Sequence, residues 1–274
     1  LWGMFMKVVL ADRIAIYANT VLDNYEHQSG ISCFVASICY TIQIYGDFAG
    51  YSLLAVGTGK VMGFDLINNF NRPYFAASIT EFWRRWHISL TQWLTAYIYI
   101  PLGGNRCSKL RCYINIFFTF LVSGLWHGAN WTFIFWGWLH GLFQIIEKHT
   151  GLSSTPINMW ERGFRIFLTF IIVNFAWIAF RMPTITDTFA IYSKIFTDFN
   201  GSLFIPGDKT TIILILFALL LLIIKEITDE YYPKLFNIMN STNTIIRWCG
   251  YLSMVVIILL LGVFDASQFI YVSF

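Results

Sequence analysis

The side chains of this sequence best able to do chemistry are two histidines set among tryptophans. His87 follows Trp83, Arg84, Arg85 and Trp86 in EFWRRWHISLTQWL, and His127 stands between Trp126 and Gly128 in SGLWHGANW. Imidazole, with an unperturbed pKa of about 6.5, is the side chain suited to taking a hydroxyl proton near neutral pH. General-base catalysis of that kind contributes about 10²- to 10⁴-fold in rate. His127 is therefore the candidate base, and His87 the candidate donor of a hydrogen bond to a carbonyl oxygen where negative charge develops.

The competing reading is packing. A neutral histidine can be buried when both nitrogens find partners, and one that bridges helices needs no other role. Two histidines, each beside a tryptophan and a helix break or basic turn, favour a reactive cavity, because unwound backbone at membrane depth is tolerated mainly where it lines one. A charged side chain at the bilayer centre costs about 2.5 to 3.5 kcal/mol. Arg84, Arg85 and His87 thus belong at an interface or against a wet cavity, where the arginines hold phosphates of a ligand or of lipid. His140 reads as a packing residue. His87, His127 and His140 lack the close HxxxH or HxxE spacing of a metal site, so no metal is expected. With no glycine-rich phosphate loop and no nucleophile elbow, Ser89 and Ser123 are unsupported nucleophiles.

The elements that must hold these groups read as membrane helices. Of 274 residues, 57% are hydrophobic, 27 are Phe and 11 are Trp, and only 12% are charged, against about 25% in soluble domains. A net charge of +3 is too small, on so apolar a chain, for a nucleic-acid surface. Residues 60–111 hold Lys60, Arg72, Arg84, Arg85, Arg106, Lys109 and Arg111 against only Asp65 and Glu81. The positive-inside rule places that region on the cytoplasmic side.

Residues 1–22 read as an interfacial amphipathic helix around Lys7, Asp12 and Arg13, and residues 27–56 as a span with Asp47 near its end. Residues 57–80 read as a loop, with Thr80 the N-cap of a helix that carries Trp83, His87 and Thr91 on one face. Two helices are expected to meet near His127, divided by Gly124, Gly128 and Asn130. Further spans fall between Arg165 and Arg181, Lys209 and Lys225, and Arg247 and Asp265, with a surface helix over 184–199. The cysteines form no CxxC pair and read mostly as packing residues, Cys107 and Cys112 being candidates for S-acylation near a membrane entry. The chain opens inside an element at Leu1 without a signal peptide, and reads as part of a longer protein.

The stretches QIYGDFAGYS, NFNRPYF, ITEFWRRWHISLTQWL and YIPLGGNR, followed by SGLWHGANWTFIFWGWLHG, closely resemble the membrane-bound O-acyltransferase family. PLGGNR, the opening FMKVVLADRIA and the ending FIYVSF are similar to its bacterial, alginate O-acetyltransferase-like branch. The resemblance implies an all-α polytopic fold, a single region over 1–274 in which transmembrane and tilted helices ring a tunnel, with further N-terminal helices in full-length members. It implies that His127 matches the family's invariant histidine and His87 its second active-site position. Acetyl-CoA would be the acyl donor, with no bound cofactor. The acceptor would be an exported polysaccharide, with a separate extracytoplasmic acetyltransferase as partner and multi-pass placement in the inner membrane. Arg84, Arg85 and Arg106, with Trp83, Trp86, Trp126 and Asn130, are the candidate binding residues for donor, substrate or membrane lipid. The alternatives are O-acylation of peptidoglycan or teichoic acid and, outside enzymes, a channel or scaffold of an export complex. Family members often have Asp where Leu53 stands, and an Arg-Asp pair where Thr95 and Ala96 stand.

Overall fold

The computed structural model describes residues 1–199, 201–233 and 241–264, and among them every regular element is helical. The ending FIYVSF lies outside the described residues. In chain order, α1 (Trp2–Met4), a π-helical segment (Phe5–Ala11) and α2 (Asp12–Leu22) are followed by α3 (Gly30–Val61), α4 (Ile79–Arg85) and α5 (Ile88–Leu94). After a second π-helical segment (Thr95–Tyr99) come α6 (Lys109–His127), α7 (Trp131–Thr150), α8 (Met159–Arg181), α9 (Ile185–Thr197), α10 (Lys209–Tyr231) and α11 (Thr244–Leu261). Helices α3, α8, α10 and α11 are long and apolar enough to cross a membrane. Much of α10 and α11 is exposed apolar surface, including Ile213, Leu220, Leu259 and Leu260, which a hydrocarbon surround accommodates without cost. The chain is a multi-pass membrane protein.

Two compact units are present. One comprises Leu1–Asn68 and the described residues from Asp198 onward. Here the N-terminal rod packs along α3 at backbone distance: a Cβ on Gly50 would lie 2.8 Å from the carbonyl oxygen of Gly3. The rod differs from the interfacial helix its pattern suggests, for Phe5, Leu10, Ile14 and Val21 are fully buried. Its charges are neutralised inside the protein instead of by water. Lys7 Nζ bridges Asp12 Oδ1 at 2.7 Å and Asp47 Oδ1 at 2.5 Å, so the carboxylate near the end of the span pairs with the rod's lysine. Helix α3 also runs on to Val61, past the GTG sequence that reads as a loop.

The other unit, Asn69–Thr197, holds both candidate histidines. Its centre is the α6–α7 hairpin, joined by Gly128, Ala129 and Asn130. The two helices touch through glycine: a Cβ on Gly124 would stand 2.3 Å from the carbonyl oxygen of Phe133, and one on Gly137 would stand 2.3 Å from that of Phe120. Small residues at such contacts let membrane helices approach closely. Helix α8 packs on α7, and α9 buries Thr188, Ile191 and Ile195 while leaving Phe189 and Phe196 exposed, as a surface helix would.

Helix α4 begins earlier than its sequence suggests. Ser78, and not Thr80, is the N-cap, its Oγ accepting from Glu81 N at 3.0 Å. The N–H groups of Ile79 and Thr80, orphaned at any helix start, donate to the two carboxylate oxygens of Glu147 on α7. Removing a buried acceptor costs about 1–3 kcal/mol. Glu147→Ala is therefore expected to lower stability by that order in thermal unfolding of the detergent-solubilised protein, with Glu147→Gln, which keeps one acceptor oxygen, losing less.

Candidate functional site

The helix expected to run unbroken through Trp83, His87 and Thr91 is interrupted at its histidine. Helix α4 stops at Arg85, and His87 adopts left-handed backbone angles (φ 41°, ψ 56°) as the residue before α5. A non-glycine residue pays strain there unless its surroundings fix it. Asn69 does so: its carbonyl accepts from Ile88 N at 3.0 Å and its Oδ1 from Ser89 N at 3.0 Å. The break turns the His87 ring toward Ser89 Oγ, 3.4 Å from Nδ1, and toward the Trp126 indole, 6.2 Å between centroids.

His127 ends α6. Gly128 follows with φ 153°, and a Cβ there would fall 2.8 Å from the Phe133 ring, so glycine alone lets the chain turn. The imidazole is ringed by Trp126, Trp136 and Phe180 at centroid distances of 4.9, 5.2 and 5.0 Å. Trp126 thus carries His87 and His127 against one indole.

A cavity of about 540 Å³ lies in the same unit, and neither His87 nor His127 lines it. From α6 it takes Ile116, Thr119, Phe120 and Ser123, a stripe at helical spacing. His127 is the next residue on that stripe, four positions past Ser123 and so about 6 Å further along the axis. From α4 the cavity takes Trp83 and Arg84, from α7 Gln144 and Lys148, and from the second π-helical segment Thr95 and Tyr99. It is lined by two cations and no acid. Ser123 Oγ is buried with no hydrogen-bond partner among the described residues.

The other sequence candidates are placed variously. Arg85 pairs with Glu81 at 2.7 Å and donates to backbone carbonyls of Asn71 and Arg72. Trp86 is buried among Phe70, Phe82 and Trp177. Asn130 caps α7 through Thr132 N and donates to the Pro183 carbonyl at 2.9 Å. Arg106 is exposed on the loop before α6. Of the candidate binding residues, only Trp83 and Arg84 line the cavity. No group of three or more metal-ligating side chains occurs among the described residues.

His140 is more than filler. It is fully buried, stacked between Phe82 and Phe120, and its Nδ1 lies 3.2 Å from Trp83 Nε1. An indole nitrogen only donates, so Nδ1 accepts and the neutral ring carries its proton on Nε2. His140 therefore fixes the tryptophan that walls the cavity. The sequence held a signal for this: on α7, Trp136, His140, Gln144 and Lys148 recur every four residues, one stripe running from rings to polar groups. His140→Leu leaves a buried indole N–H unpaired and is expected to destabilise by about 1–3 kcal/mol. His140→Asn, whose Oδ1 can stand in for Nδ1, should recover part of that loss in the same thermal unfolding measurement.

A sequence profile of the membrane-bound O-acyltransferase family matches residues 1–189. The chain is similar to the probable alginate O-acetylase AlgI of Pseudomonas syringae pv. tomato, 44% identical over 195 residues that cover 71% of this chain and 37% of the relative. It is also similar to the peptidoglycan O-acetyltransferase of Helicobacter pylori, 40% identical over 190 residues, 69% of this chain and 36% of the relative. A teichoic acid D-alanyltransferase of Streptococcus thermophilus is 31% identical over 166 residues, 52% of this chain and 39% of the relative. The aligned part thus spans well under half the length of these relatives. A matched segment that takes in α1 to α8, with both histidines and the whole α6–α7 hairpin, makes this chain a member of the membrane-bound O-acyltransferase family.

Proposed function

We propose that this chain carries the transfer site of a membrane O-acetyltransferase, which moves an acetyl group from a cytoplasmic thioester, acetyl-CoA, toward a hydroxyl of an exported polysaccharide. What supports this is the placing of two imidazoles against Trp126, with His127 one helical turn past Ser123 on the wall of a cavity whose charged lining groups among the described residues are cations. Cations at the mouth suit the phosphates of a nucleotide thioester. Helix α6 begins among Lys109 and Arg111 and ends at His127, so its 19 residues set the basic end and the imidazole about 28 Å apart along the axis. With the basic end cytoplasmic by the positive-inside rule, His127 stands toward the opposite face, where an exported acceptor arrives.

The proposed chemistry uses the chain's own groups. His127 takes the proton of the acceptor hydroxyl as its oxygen bonds to the thioester carbonyl carbon. His87 donates a hydrogen bond to the carbonyl oxygen as it gains charge. The carbon–sulfur bond then breaks, and the proton held on His127 returns to the departing thiolate. Arg84 and Lys148 hold the donor, and Trp83 walls its path. A separate extracytoplasmic acetyltransferase completes delivery to the polymer. The similarity to the Helicobacter pylori protein, nearly as high as that to the alginate O-acetylase, makes peptidoglycan the second acceptor to assay.

In the full-length protein, His127→Ala is expected to cut acetyl incorporation by about 10²-fold or more, and His87→Ala by a comparable or smaller factor, with membrane insertion intact. Acetylation that persists in His127→Ala would favour a scaffold. Arg84→Ala and Lys148→Ala are expected to raise the KM for acetyl-CoA and leave kcat nearly unchanged, since a phosphate contact made equally in ground and transition states acts on binding alone. Mass analysis of surface polymers from cells with and without the intact protein identifies the acceptor.

A further inference from the structure

The loop that enters α6 folds back on its own helix, and sulfur does much of the holding. Gly103 and Gly104 have φ of +111° and +52°, and the tight bend brings Cys107 Sγ to 3.3 Å from Cys112 Sγ. Both thiols point at one carbonyl: Gly104 O lies 3.3 Å from Cys107 Sγ and 3.4 Å from Cys112 Sγ, and Asn115 Nδ2 is also within 3.4 Å. The next residue, Asn105, accepts through Oδ1 from Tyr99 Oη at 2.8 Å and from Lys148 Nζ at 2.6 Å. Asn105, Tyr99 and Lys148 all line the cavity. A continuous set of contacts therefore joins the two sulfurs to the cation at the cavity's rim.

We propose that Cys107 and Cys112 are an oxidisable pair, and that a disulfide between them loosens the rim of the cavity at Asn105 and Lys148. The sulfurs need to close from 3.3 Å to the bonded distance of about 2.05 Å, a shift within the reach of side-chain rotation in a glycine-rich loop. The step is a two-electron oxidation: two S–H bonds break, one S–S bond forms, and two electrons and two protons pass to an oxidant such as a diazene, reduced to its hydrazine, or a peroxide, reduced to water and alcohol. Both sulfurs lose their hydrogens, so neither thiol continues to donate to Gly104 O. The Cys107 thiol sits above its ordinary pKa, raised by desolvation and by its hydrogen bond with Cys112 against the pull of Arg111 and Lys148. S-acylation, the reading the sequence alone suggests here, fits less well, because Cys112 is buried and the two thiols are directed at each other and at Gly104 O.

The test uses the full-length detergent-solubilised protein, treated with diamide and then alkylated. Cleavage after Lys109 and Arg111 separates the two cysteines, so the disulfide appears in peptide mass mapping as Cys107-Ser108-Lys109 linked to the peptide that begins at Cys112. The expected result is that link in most molecules, its loss on reduction, and its absence in Cys107→Ser. Lys148 should then react with an amine-directed probe about threefold or more faster than in reduced protein, as expected when a hydrogen bond to a charged group weakens. In Cys107→Ser the oxidant should not change that rate. Two thiols that stay fully alkylatable after diamide, or a disulfide that leaves Lys148 reactivity unchanged, would overturn the proposal. Neither readout depends on acyl transfer, so its failure is separate from failure of the functional reading.

Discussion

The second unit depends on the contact between α6 and α7 at backbone distance. Two helices carrying leucine or phenylalanine at the crossing would stand 8–10 Å apart; with Gly124 under Phe133 and Gly137 under Phe120 they close to near contact. That closeness has a consequence for the site. It sets the stripe Ile116, Thr119, Phe120, Ser123, His127 on α6 beside the stripe Trp136, His140, Gln144, Lys148 on α7. The α7 stripe grades along its helix, from ring and imidazole near the turn to amide and ammonium at its far end, and the α6 stripe reaches the turn with His127. The cavity draws Ile116, Thr119, Phe120 and Ser123 from the first stripe and Gln144 and Lys148 from the second.

Within an apolar wall each polar atom must find a partner, since one left unpaired has no water to fall back on. The structure meets this demand in recognisable ways. Lys7 takes Asp12 and Asp47; Glu147 takes the orphan N–H groups of α4; Trp83 takes His140. Among the described residues of the second unit, the buried polar atoms without a hydrogen-bond partner are Trp136 Nε1, Trp177 Nε1, His140 Nε2, Ser123 Oγ and Asn115 Oδ1, and three of them belong to the aromatic cluster at Trp136. His127 packs against the same Trp136 ring.

The fold was legible in the sequence wherever one local signal settled it. Gly128 and Asn130 divide a long apolar run that no single helix explains, and α6 and α7 meet there. The apolar runs after Arg165, Lys209 and Arg247 are helices long enough to span. Where tertiary contacts decide, the sequence was silent. Nothing in FWRRWHISL announces a break at His87, because a left-handed histidine has no local preference to betray it; Asn69, eighteen residues earlier, secures the turn. The first 22 residues look amphipathic because their charges are visible and their partner, Asp47, is remote. The cavity lining is the extreme case. Thr80, Thr119, Ser123 and Gln144 are unremarkable singly, and they become a site only when three helices bring them to one space.

The separation of charge from imidazole along α6 bears on how such a site can work. If the cations stood beside His127 they would disfavour protonating it, and the base would be weakened at the step where it must accept a proton. On the proposed reading, Arg84 and Lys148, which line the cavity while His127 does not, hold an anionic donor without that penalty, and binding energy from its remote, unreactive part serves to place the thioester at the imidazoles. The aromatic wall contributes in the same direction. Trp83 on the cavity wall and Trp136 behind His127 are both buried, and on the proposed reading a thioester that hydrolyses on the way cannot be transferred. The arrangement thus favours moving a group along a channel over releasing it to solvent. That preference follows from where two cations and two imidazoles sit on one pair of closely packed helices and the short helices against them.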